Sequence, residues 1–332
     1  MPKEFWFTAP EMPDAAHHDD APRSCWLFPG LGCRHVGMGH DLFNRGGAAG
    51  QLIELAEEAL GYRLGPICLE GSGRKVVPPR QEAQVIYVLD CAYAAALAEQ
   101  GHYPRAVLGH SLGSWAAAWA AGVYDFVTGL NLVTQVERLL EELIDGRDLT
   151  MGAVIGLDES MIQAEAAPYS GVTIANLNSP AQFVISGPGN EVDRVLQAAK
   201  DRGAKQAKRL PTTRAIHSPW MQEVAAQLKT QLDRVVWSTP KAPFIACDEF
   251  KALTSGAEVC HFFSTFLTNP VRWESSFRLL MQQHGCRFVE VGSGNLLTTL
   301  ASFIDSKAVV RTATDCLEMA PDLRFTPPVW IK

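Results

Sequence analysis

One stretch constrains this chain more than any other. The apolar run Ala106-Val107-Leu108 leads into Gly109-His110-Ser111-Leu112-Gly113, and the alanine-rich SWAAAWAA follows. A strand that turns at once into a helix holds its apex residue under backbone strain. Flanking glycines are required because a Cβ on either side would collide with the neighbouring strand and helix. The turn lifts the Ser111 hydroxyl to the top of a sheet and aims the N–H of Leu112 at any carbonyl oxygen approaching it. The architecture implied is α/β, with the serine as candidate nucleophile.

The rest of the chain reads accordingly. Residues 1–23, rich in Pro, Ala, Asp and His, read as a flexible tail with no secretory h-region, and its His17-His18-Asp19-Asp20 as solvated polar residues. Ser24–Phe28 reads as a buried strand ending in the turn Pro29-Gly30-Leu31-Gly32. Helical periodicity covers 49–60, 83–100 and 128–144. Residues 151–210 change character. A strand, a helix capped by Asp158, two strands joined at Asn178-Ser179-Pro180, a helix from Asn190 and a strand over 205–210 give the order β-α-β-β-α-β. This is the split pattern of a ferredoxin-like unit. The expected division is 24–148 and 212–332 for a large α/β body with a parallel sheet, and 149–211 for a small ferredoxin-like subdomain inserted in it. A helix is expected after Ser218-Pro219, and Arg287–Val291 reads as a buried strand before another helix.

Charge narrows the function classes. The formal net charge is −7 and the pI about 5.7, whereas a globally basic nucleic-acid binder lies above about pI 9. Nucleic acid is therefore not an expected partner. No stretch approaches about 18 apolar residues, so a membrane span is not expected either. The eight cysteines form no C-x-x-C pair, which removes zinc ribbons and thioredoxin-like motifs, and they read as reduced residues of a cytoplasmic protein. No metal is expected.

A serine needs a base. His110 adjoins Ser111, but across so tight a turn its side chain points away. His35, His40, His102, His261 and His284 have no special context. His217 lies in Arg214-Ala215-Ile216-His217-Ser218-Pro219, where a strand end meets a helix start. On position alone it reads equally as a base or as a structural histidine. Cys33 has only His35 near it and reads as a buried residue.

Taken together these residues resemble malonyl-CoA:acyl-carrier-protein transacylases and the acyltransferase domains of polyketide and fatty-acid synthases. Phe28-Pro29-Gly30-Leu31-Gly32-Cys33-Arg34 is similar to the family's F-P-G-Q-G-S-Q, and the elbow to its G-H-S-L-G-E. Asn176-Leu177-Asn178-Ser179-Pro180-Ala181-Gln182 with Val184-Ile185-Ser186-Gly187 is similar to N-x-N-x-P-x-Q-x-V-I-S-G, and Arg214–Pro219 to H-A-F-H-S-P. Asn269-Pro270-Val271-Arg272-Trp273 and Glu290-Val291-Gly292-Ser293-Gly294 match two C-terminal signatures. The resemblance implies an α/β-hydrolase-like large subdomain and a Ser111–His217 dyad with ping-pong chemistry. It also implies that the Phe266 backbone carbonyl orients the imidazole and that the N–H groups of Leu31 and Leu112 form the oxyanion hole. It implies no bound cofactor, a phosphopantetheine thioester (acyl-CoA or acyl-ACP) as substrate, an acyl carrier protein as partner and a monomer. The acyl pocket would be lined by Val136, Arg214, Ile216, Asn178 and Gln182.

The departures carry the specificity. In malonyl-type members an arginine twenty-five residues after the serine clamps the free carboxylate; here that position is Val136, and Arg138 belongs to another face of the helix. A valine cannot pair with a carboxylate, so an uncharged acyl group is expected. The expectation is a stand-alone acyltransferase of polyketide or related biosynthesis. Two alternatives remain: an acyl-ACP hydrolase on the same fold, and a malonyl transacylase whose carboxylate binding has moved to Arg214. A solvent-facing Arg214, or one touching the thioester arm, is the simpler expectation. Carrier docking would use the basic stretch from Lys200 to Arg214, chiefly Lys205, Lys208 and Arg209.

Overall fold

The structure is a computed structural model and describes residues 24–69, 77–285 and 287–318. The expected tail lies outside the described residues. Ten strands occur among them: β1 (Ser24–Phe28), β2 (Pro104–Gly109), β3 (Leu149–Ile155), β4 (Thr173–Ser179), β5 (Gln182–Pro188), β6 (Gln206–Arg209), β7 (Phe244–Ala246), β8 (Lys251–Leu253), β9 (Arg287–Glu290) and β10 (Val309–Thr312). They build a six-stranded sheet in the order β10-β9-β1-β2-β7-β8 and a four-stranded sheet in the order β4-β5-β3-β6.

In the larger sheet β1, β2, β7, β9 and β10 pair in parallel, as apolar runs joined by crossover helices do. β8 is the exception in this otherwise parallel sheet: it folds back antiparallel on β7 at one edge. Two long helices, Pro79–Glu99 and Phe126–Leu143, pack against each other. The first is buried along almost its whole length from Ala83 to Ala98, which suits its run of alanines. The second starts at Asp125, whose side chain accepts from the Thr128 N–H.

The smaller sheet is antiparallel throughout. Its order places the first strand of the unit between the third and fourth, the ferredoxin-like arrangement. Val192, Val195, Leu196 and Ala199 of the helix Gly189–Asp201 pack with Ile162, Phe183 and Ile185 in a core of their own. A bridge between Asn176 and Val271 ties β4 to the larger body. It is flanked by the bonds Val271 N–H to Ala175 O (2.8 Å) and Leu177 N–H to Val271 O (2.8 Å). The fold is thus an α/β-hydrolase-like body carrying a ferredoxin-like unit. No helix among the described residues is long and apolar enough to cross a membrane, and no group of three or more His, Cys, Asp or Glu among them could hold a metal ion.

Candidate active site

The elbow forms as its sequence requires. β2 ends at Gly109, the helix Gly113–Ala120 follows at once, and Ser111 sits between them at φ 50°. A non-glycine residue held there is strained and persists only where its surroundings over-determine it. They do so here. A Cβ on Gly109 would lie 2.2 Å from the Ser114 Cα, and one on Gly113 would lie 2.2 Å from the Phe28 carbonyl oxygen. The His110 N–H also donates to the Phe28 carbonyl at 2.9 Å, locking the turn to the end of β1.

His217, 106 residues further along the chain, meets this serine. Its Nε2 is 2.7 Å from the Ser111 Oγ. Its Nδ1 lies 3.0 Å from the Phe266 carbonyl oxygen and 3.1 Å from that of Asn269. Carbonyls only accept, so the proton is on Nδ1 and Nε2 is free to accept from Ser111. His217 is itself at φ 61° and buried. Burial pushes its pKa down to about 4 from an ordinary 6.5 and outweighs the opposing effect of the Phe266 carbonyl. The ring is therefore neutral at pH 7. The Phe266 carbonyl is the one that the resemblance implies as orienting the ring, and it lies within hydrogen-bond distance of Nδ1. The second carbonyl, Asn269, was not anticipated, although the Asn269–Trp273 motif was visible in the sequence.

Leu31 and Leu112 lie on the two turns flanking the serine. Gly30 brings the turns into contact: a Cβ there would sit 2.4 Å from the His110 oxygen and 3.2 Å from the Leu112 nitrogen. The Leu31 side chain is exposed. Cys33 is buried. Burial, reinforced by the charges of Asp90 and Glu290, pushes its thiol pKa far up, and the neighbouring His35 bonds the Cys33 carbonyl instead of the sulfur.

One expectation needs correction, and two further residues are already partnered. Arg214 is neither solvent-facing nor available to a carboxylate ligand. It is 4% exposed, its Nη1 is 2.5 Å from Glu137 Oε2, and its Nε and Nη2 make a two-pronged contact with Asp145 at 2.9 and 3.1 Å. Asn178, expected to line the acyl pocket, bonds His110 Nε2 through its amide oxygen at 2.8 Å. Arg209 is not a free docking cation, because it bonds Asp193 at 2.7 Å and the Gly189 carbonyl at 2.7 Å. Lys205 and Lys208 are exposed.

The other positions fall as follows. Val136 is buried in the main core on the helix Phe126–Leu143, and Arg138 is turned outward to Glu142 at 2.8 Å. Ile216 packs at once against the main core and against Met151, Ala175 and Val184 of the smaller sheet. Gln182 opens β5, opposite Ile155 and Ser179 at the hairpin end. His110 is buried and turned away from the serine's open side, as the tight turn demands, with its ring edge-on to Trp273 at 5.2 Å.

Fold and site define a class: an α/β protein with a serine–histidine pair at the C-terminal edge of its parallel strands. The chain belongs to the acyl transferase domain family, whose model matches residues 25–321. It is an acyltransferase of the malonyl-CoA:acyl-carrier-protein transacylase type, in a family that includes polyketide-associated members. It is 34% identical over 292 residues to the polyketide biosynthesis protein ThaF of Burkholderia thailandensis, a match covering 87% of this chain but only 25% of that protein. It is 29% identical over 301 residues to the malonyl CoA-acyl carrier protein transacylase of Bacillus subtilis, covering 89% of this chain and 95% of that one. A malonyl-transacylase solved in complex with a type II polyketide acyl-carrier protein superposes with a TM-score of 0.82 at 28% identity, covering 87% and 94% of the two chains.

Proposed function

We propose that the protein transfers an uncharged acyl group through a Ser111 ester to, or between, the phosphopantetheine thiols of acyl carrier proteins. The 2.7 Å contact between the Ser111 Oγ and a neutral His217 Nε2 carries this reading. Ser111 attacks the thioester carbonyl while Nε2 takes its proton. The carbonyls of Phe266 and Asn269 then hold the resulting imidazolium through Nδ1–H. The N–H groups of Leu31 and Leu112 receive the developing oxyanion. The thiol leaves with the proton from His217, an acceptor thiol enters, and the same base activates it. In this reading the body, 24–148 and 212–332, supplies nucleophile and base, and the small subdomain, 149–211, closes the site from above. The relatives' names support a carrier-protein partner, docked over Lys205 and Lys208.

Val136 supports the uncharged acyl group. A substrate carboxylate reaching it would be desolvated and unpaired, and Arg214 is already matched by two carboxylates. The test is to incubate the protein with acetyl, longer acyl and malonyl thioesters and follow the mass of Ser111 with and without carrier protein. The expected result is an acetyl or longer ester that only carrier protein discharges. Malonyl loading equal to acetyl would refute the reading of Val136. An ester that decays in water without carrier would make the protein a hydrolase.

A further inference from the structure

The elbow histidine is held in one protonation state by a residue of the other sheet. His110 is 8% exposed and Asn178 is 5% exposed. His110 Nε2 is 2.8 Å from the Asn178 Oδ1, an oxygen that can only accept, so Nε2 carries the proton. Nδ1 is then an acceptor, and it is buried without a hydrogen-bond partner. A proton placed there would charge a fully buried ring, which burial opposes, with only the backbone of His110 itself to receive it. It would also put a cation beside His217, whose charge His110 opposes. His217 must itself become cationic when Ser111 is deprotonated, so a charged His110 would oppose the proton transfer on which acylation depends. Asn178 reaches the elbow because β4 is pinned to the body through Val271, two residues before the Trp273 that packs on the His110 ring.

We propose that Asn178 is a positioning residue for the reaction and not a wall of the acyl pocket: it fixes His110 as the neutral Nε2–H tautomer and holds the elbow against the small subdomain. The proposal rests on reading Ser111 and His217 as nucleophile and base. A carboxylate at 178 has the same shape and still accepts, but it draws a second proton onto His110; an aliphatic side chain there leaves Nε2–H unpaired.

The experiment combines histidine-labelled 15N spectra with Ser111 acylation kinetics. In the unsubstituted protein at pH 7, His110 is expected as the neutral Nε2–H form; a charged ring or the Nδ1–H form overturns the proposal. In Asn178→Asp both ring nitrogens are expected to be protonated. The maximal acylation rate is expected to fall about tenfold in both Asn178→Asp and Asn178→Leu, by the same factor for acetyl and longer chains, with half-saturation unchanged. A loss confined to half-saturation, or to one chain length, makes Asn178 a pocket residue and overturns the proposal, as does an unchanged rate. Should Asn178→Leu fail to fold, the isosteric Asn178→Asp and the unsubstituted spectrum still decide. Ser111→Ala is run in parallel: labelling that survives it refutes the nucleophile assignment whatever happens at 178.

Discussion

At the scale of single residues, the buried neutral His217 ties activity to pH in a definite direction. An exposed imidazole loses its proton near 6.5, whereas burial lowers that of His217 to about 4. Acylation kcat/KM should therefore hold as pH falls through 6.5 and fall away only toward 4. An acid limb centred on 6.5 would contradict the burial argument. Stability carries the same sign. Between about 4 and 6.5 the unfolded chain binds a proton that native His217 refuses, so His217 makes the fold less stable as pH drops through that window. Val136 allows a gain-of-function test. Val136→Arg places a guanidinium at the position where the family resemblance implies a carboxylate-binding arginine, one residue from Glu137, which Arg214 already neutralises. Malonyl loading of Ser111 relative to acetyl, read by mass, should rise by about tenfold or more, the scale of one charge-assisted pair. No change would mean that the carboxylate end of the pocket lies elsewhere.

At the scale of elements, the elbow and the split β-α-β-β-α-β unit were legible because each is local. Glycine spacing, alternation and the cap Asp158 lie within a few residues of what they determine. The partners of Arg214, Arg209 and Asn178 were not legible. Glu137 is 77 residues from Arg214, and Asn178 is 68 from His110, and no local period reports such a meeting. β7 and β8 escaped for another reason. With three residues each, they are too short to show alternation. The motif ending at Gly294 hid its physical content as well. Glu290 is buried, and its two oxygens accept the N–H groups of Leu297 and Thr298 at 2.9 and 2.8 Å, so the end of β9 caps the helix Leu296–Ile304. Glu290→Leu removes both acceptors and should cost about 1–2 kcal/mol in urea denaturation, the worth of a helix cap. A cost near zero would mean that water satisfies those donors.

At the scale of the molecule, two hydrophobic cores meet along the segment that carries the base. Ile216 touches both, the Ser186 Oγ donates to its carbonyl at 2.9 Å, and the Thr150 Oγ1 donates to the Thr212 carbonyl at 2.9 Å. This segment has no helix or strand of its own from 210 to 218, yet it holds His217 at positive φ. What anchors it to the body is the buried pair of Arg214 with Glu137, joined at the surface by Asp145. Burying charges is costly, and a pair of this kind often stabilises no more than apolar residues of similar volume would. Breaking it is a different matter. Arg214→Met leaves the Glu137 carboxylate, only 4% exposed, without its counter-charge, and should cost about 3–5 kcal/mol. Arg214→Met with Glu137→Met removes both charges and should recover most of that loss in a denaturation cycle. Acylation of Ser111 should fall in the single variant and recover with stability in the double one if the cluster serves only to anchor the segment. A double variant that regains stability while Ser111 stays slow would show instead that the guanidinium sets the placement of His217.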